Sequence, residues 1–97
     1  MSFRWLNKQG VESSSGFTLQ GIHRHYFHYL ENGKTLQLIV EPCRTPDGRF
    51  YEELSLRSLE RWLAPHDEVP TSIAEKNQIK LNIEAALTFM EIDHVWV

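Results

Sequence analysis

TSIAEKNQIKLNIEAALTFM, residues 71–90, is the one long helical signal in the chain. Ser72 followed three positions later by Glu75 has the form of a capping box, and Pro70 stands just before it. Ile79, Ile83, Ala86, Leu87 and Met90 recur on one helical face, with Asn77, Lys80, Glu84, Thr88 and Glu91 opposite. A lone helix of this length is marginal in water, so its apolar stripe needs a flat apolar partner. The residues before it read as strands. The predicted fold is therefore α+β: an antiparallel β-sheet of hairpins, one long helix packed on one face, and a C-terminal strand over 93–97.

The strongest strand signal runs from Ile22 to Glu41 around Asn32-Gly33, the preferred pair for a type I′ hairpin turn. Counting outward from that turn sets the register. Glu31 faces Lys34, Tyr29 faces Leu36, Phe27 faces Leu38 and His25 faces Val40. On the other face Leu30 meets Thr35, His28 meets Gln37, Tyr26 meets Ile39 and Arg24 meets Glu41. Phe27, Tyr29, Leu36, Leu38 and Val40 are the expected face beneath the helix.

Further out the signals weaken. Residues 1–16 read as an N-terminal arm or short strand carrying Phe3 and Trp5, followed by a polar loop (QGVESSSG). Phe17–Gln20 is a strand, with a bend or bulge at Gly21. Pro42 is expected to end the strand by removing a ladder donor. RTPDGR (44–49) is a turn, and a further strand is predicted to about Arg57, so that strands occupy 17–57. A short helical turn carrying Leu59, Trp62 and Leu63 follows, then an acidic proline-bounded loop (APHDEVP, 64–70). A single domain spans 1–97.

Composition bounds the function. The 97 residues are 41% hydrophobic and 24% charged with a net charge of −3, ordinary for one globular domain. An acidic balance disfavours a general nucleic-acid binder, which neutralises phosphates with a basic patch. Cys43 is the lone cysteine, which excludes an internal disulfide and suits a reducing compartment. MSFRWLNKQG has no apolar leader run, and no segment approaches the roughly 20 apolar residues of a membrane helix. These features predict a cytoplasmic protein with no membrane partner.

No motif spells out a chemistry. His23 and His25 are expected on one strand face and His28 on the other, so the three would not share a metal ion without a bulge. Cys43 beside Arg44 is a candidate nucleophile only if a histidine is positioned as its base; a half-buried cysteine at a loop edge is the plainer reading. Glu52 and Glu53 are consecutive strand residues facing opposite ways, so they would not converge as an acid–base pair. The expectations are no catalytic residue, no metal and no cofactor. Two features point to a binding surface instead. Leu81 sits on a second, weaker apolar flank with Ala74, Gln78 and Ala85, where a partner, a second copy of the chain or the N-terminal arm could pack. His66, Asp67 and Glu68, with Glu52 or Glu53, form an acidic set able to dock on a basic partner.

YLENGKTLQLIVE (29–41), LSLRSLERWLAP (54–65) and TSIAEKNQIKLNIEAALTFMEID (71–93) together resemble the small α+β immunity proteins of bacterial polymorphic-toxin systems. The resemblance rests on a strand-rich front half, a Ser-Leu-x-x-Trp-x-x-Pro segment and a closing helix and strand. Here that segment is Ser58 to Pro65, and Glu91 stands where a glycine usually follows the helix. The resemblance implies a protein that binds a cognate toxin and blocks it by occlusion. The alternative from the residues alone is a small ligand- or nucleic-acid-binding module, with Tyr26, His28 and Ile39 as a stacking platform.

Overall fold

Asn32 and Gly33 both take positive φ, at 53° and 74°, the backbone a type I′ turn requires. They join β4 (Tyr26–Glu31) to β5 (Lys34–Arg44). The register runs from Glu31 opposite Lys34 to Tyr26 opposite Ile39, as predicted. Beyond it the Val40 amide still donates to the His25 carbonyl at 2.9 Å. The structure is a computed structural model describing residues 1–97. Its other strands are β1 (Phe3–Asn7), β2 (Gly10–Ser13), β3 (Phe17–His23), β6 (Phe50–Leu54) and β7 (His94–Trp96). All seven lie side by side in chain order. Five pairings are antiparallel and the last, β6 with β7, is parallel. The crossover between those two strands carries the helix α1 (Ile73–Phe89), the connection a parallel pair needs.

Ser72 caps α1 by accepting from the Glu75 amide at 3.1 Å. Ile79, Ile83, Ala86 and Leu87 are buried, together with Phe27, Tyr29, Leu36, Leu38 and Val40 of the sheet. Burying each large aliphatic side chain stabilises by about 2 kcal/mol. Packing on the sheet therefore accounts for the helix better than local propensity does. Asn82 is also buried on this face. It donates to the Tyr29 hydroxyl at 2.9 Å and accepts from Gln78 at 2.9 Å.

Four segments differ from expectation. QGVESSSG contains the strand β2, whose Val11 and Ser13 are buried against the core; one apolar residue among small polar ones left little periodicity to read. Pro42 does not end β5, which continues to Arg44 with Pro42 opposite Glu52. The reason is directional. The Val40 amide points toward β4, so position 42 points the same way, where β4 has already ended, and no ladder bond is lost. β6 stops at Leu54 rather than near Arg57, and a 3-10 turn spans Leu56–Glu60. Leu59 and Trp62 are buried, but Trp62 and Leu63 lie beyond that turn. The N-terminal aromatics do not cover Leu81. Phe3 and Trp5 pack on Phe89, with ring centroids 5.3 and 5.8 Å away, and Leu81 stays 60% exposed.

Candidate functional site

The sheet leaves two features unfilled. One is its open face, opposite α1. Alternation along β4 and β5 puts Tyr26, His28, Leu30, Ile39 and Glu41 there. Leu30 and Ile39 are 41% and 45% exposed. The rings of His23, Tyr26 and His28 form a continuous stack, with centroids 5.4 and 5.7 Å apart. His23 and His28 therefore share a face, contrary to strict alternation from the hairpin. The cause is the irregular pairing between Gly21 and His23, which re-aims His23. His25 lies in the adjoining turn, its ring 5.5 Å from that of His23. No three His, Cys, Asp or Glu side chains gather closely enough to hold a metal ion.

Toward β6 the same face turns acidic. Glu41 stands directly opposite Glu53, and Cys43 opposite Tyr51. Like charges in cross-strand register are unfavourable. Glu41 reaches only His25, at 3.5 Å, and Glu53 closes no ion pair. The surplus negative charge is felt nearby: desolvation and then Glu53 push the Cys43 thiol up, and Cys43, desolvation and Glu53 push up the Tyr51 hydroxyl. A thiol held up in this way is a poor nucleophile. Its Sγ lies 3.4 Å from the Glu41 carbonyl oxygen, with Glu53 and Tyr51 beside it and no histidine as a partner.

The second feature is a cleft of about 470 Å³ beyond the C-terminal end of α1. Trp5, Phe27, Met90 and Ile92 supply its apolar walls, and Glu52, Arg24 and Lys8 its charges. Gly21 forms part of the back wall. A Cβ there would stand 3.3 Å from the Gln9 carbonyl oxygen, so the absence of a side chain lets the β1–β2 turn close down on β3. Glu52 lies on the helix side of β6, in register with Pro42 and two residues from the buried Leu54. Its Oε2 is buried and accepts no hydrogen bond. Burial, then Glu41, raise its pKa, while Arg24 and His25 act to lower it.

The residues singled out from sequence do not make one surface. Glu52 lines the cleft and Glu53 the open face, as alternation requires. His66, Asp67 and Glu68 are exposed in the loop before α1. That loop is tied to the other end of β5 through the Leu63 amide and the Thr35 carbonyl, at 2.7 Å. From Thr35 to Pro42, the neighbour of Glu52, β5 runs about 23 Å at strand rise. The acidic set is thus split, and Leu81 is separate again, on the outer side of α1. What sequence reasoning missed is Glu41 with Glu53, visible only once the β5–β6 register is known. It also missed the convergence of Trp5, Arg24 and Glu52 on one cleft, to which only the bend at Gly21 pointed. No protein-family model, curated protein or solved structure matches the chain.

Proposed function

We propose that the protein is a non-catalytic immunity protein that binds a cognate bacterial toxin in the cytoplasm and neutralises it by occlusion. The observation that carries this reading is the open sheet face. A helix covers one side of the sheet only. The other presents Leu30, Ile39 and the His23–Tyr26–His28 stack beside the unpaired carboxylate of Glu53. Aromatic anchors next to an uncompensated charge suit a protein partner with a basic surface, the charges steering encounter and the rings supplying contact area. The like-charge pair costs stability where it stands, and such local conflicts are expected where a surface serves a partner. The resemblance of 29–41, 54–65 and 71–93 to immunity proteins points the same way.

Stacked rings also suit a nucleic acid. However, the one Lys or Arg alternating onto the open face is Arg4, and its guanidinium is engaged by Glu12 at 2.8 Å. Phosphates would find little to neutralise them.

The test is co-expression with the product of the neighbouring open reading frame. The expected result is rescue of growth and a one-to-one complex on a sizing column, both lost in Ile39→Arg and retained in Leu81→Lys. Absence of rescue and of a complex would refute the reading. A self-associated species abolished by Ile39→Arg would assign the face to a second copy of the chain instead.

A further inference from the structure

The cleft beyond α1 has a chemistry separate from the open face. Glu52 and Arg24 both line it. Arg24 is near enough to act on the Glu52 carboxylate electrostatically, yet no nitrogen of Arg24 lies within 4.0 Å of it. Opposite charges that share a half-enclosed space without closing on each other leave room for a group that satisfies both. The Glu52 carboxylate lines the cleft with no cation closed on it, and its solvent-shielded Oε2 has no donor within the protein. Arg24 and Lys8, with no carboxylate in contact, ask for an acceptor. Between these ends lie the apolar surfaces of Trp5, Phe27, Met90 and Ile92.

The end of α1 adds to this polarity. Its C-terminal turn carries the negative end of the helix dipole, which favours a cation nearby. Met90, the C-cap of α1, and Ile92, two residues beyond it, both line the cleft. A volume of about 470 Å³ is in the range of small-ligand sites.

We infer that the cleft binds a small zwitterion with an apolar side chain, of the size and chemistry of a free α-amino acid such as leucine or methionine. The ammonium group sits on Glu52 near the end of α1, the carboxylate faces Arg24 and Lys8, and the side chain packs on Trp5, Phe27 and Ile92. His23 of the ring stack borders the cleft, but the groups this inference uses do not alternate onto the open face, so it can be tested apart from the toxin-binding reading.

The experiment is thermal unfolding of the full chain with a ligand panel. Leucine and methionine are compared with glycine, which lacks the side chain, isoamylamine, which lacks the carboxylate, and 4-methylpentanoate, which lacks the ammonium. For a dissociation constant of about 1 mM, about 10 mM ligand raises the midpoint by about 5 °C or more. The expected pattern is a rise with leucine or methionine and a much smaller one with each truncated compound. Glu52→Gln and Arg24→Gln should each reduce the rise at least several-fold. Arg24 lies in an exposed turn, so its variant keeps the test open if changes at Glu52 disturb the fold. Ile39→Arg, on the open face, should leave the rise unchanged. No rise with any zwitterion, a rise equal with the amine or the acid alone, or a rise untouched by both cleft variants would overturn the inference.

Discussion

Asn82 shows how one buried polar residue ties the helix to the sheet. Its amide donates to the Tyr29 hydroxyl, which donates onward to Glu31 at 2.8 Å, while Gln78 donates to the Asn82 carbonyl. Burial, with Glu31 adding to it and Asn82 opposing it, pushes the Tyr29 hydroxyl far above the usual phenol range, so it is protonated at neutral pH. Asn82→Ala leaves a buried hydroxyl short of a partner and should cost about 2 kcal/mol. Tyr29→Phe should cost a similar amount, and the double variant less than the sum, because the two changes remove the same bond. Urea unfolding of the four proteins measures that coupling; strict additivity would show that the bond contributes nothing. Glu52 makes a prediction of opposite sense. Its folded-state pKa is raised by burial, so between the unfolded and folded values the native protein binds more protons than the unfolded chain. The stabilisation is full below the ordinary carboxylate pKa and is lost as pH rises through the folded value. Glu52→Gln removes this step. The variant should be the more stable protein at neutral pH, with its advantage shrinking toward about pH 4. Denaturant midpoints of both proteins from acid to neutral pH read this directly, and a gap that widens on acidification would contradict it.

At the scale of elements, the end of α1 shows a conflict between sequence and geometry. The Ile92 amide donates to the Leu87 carbonyl and the Glu91 amide to the Thr88 carbonyl, the two bonds of a Schellman closure. Glu91 takes φ of 60°, a position that favours glycine. The closure forms regardless because Ile92 packs against the core that holds Leu87. Glu91→Gly should therefore stabilise by about 1 kcal/mol, seen as a raised thermal midpoint. At the other end, Ser72→Ala should cost about 1 kcal/mol through the lost bond to the Glu75 amide. Both caps bear on what the sequence could reveal. The start of α1 was legible because a capping box has a chemical signature, and the β4–β5 register because Asn-Gly sets the turn. β2 was not, since its partner residues lie in β1 and β3 and its own pattern is only Val11 and Ser13 among polar neighbours. The length of β5 was not legible either. Whether a proline ends a strand depends on which side its missing amide faces, and that is settled by where β4 stops. The candidate sites suffered from the same non-local effects. The acidic set read from 52–53 and 66–68 needed those segments to meet, and the sheet holds them at opposite ends. Glu41 and Glu53 meet instead through the β5–β6 register, one residue before Pro42.

On the scale of the whole molecule, a seven-stranded sheet with a helix on one side has an asymmetry that its strand order does not resolve. The helix side is closed by the core except at the cleft beyond the end of α1. The far side is divided along β5 into an aromatic and aliphatic half around Tyr26 and Ile39, and an acidic half around Glu41 and Glu53. In the proposed complex the two halves should act on different rate constants. Charges outside the contact centre steer diffusional encounter and are screened by salt, whereas buried rings and aliphatic groups hold the complex once formed. Glu41→Lys with Glu53→Lys should slow association about ten-fold or more at low salt and flatten its dependence on ionic strength, leaving dissociation little changed. Tyr26→Ala and Ile39→Ala should instead speed dissociation, each by about ten-fold or more, with association nearly unaffected. Stopped-flow association and surface-based dissociation with the isolated partner separate the two. If the charge variants accelerate dissociation while the apolar ones slow encounter, the partner sits elsewhere on the sheet. If neither pair changes either rate, the open face is not where it binds.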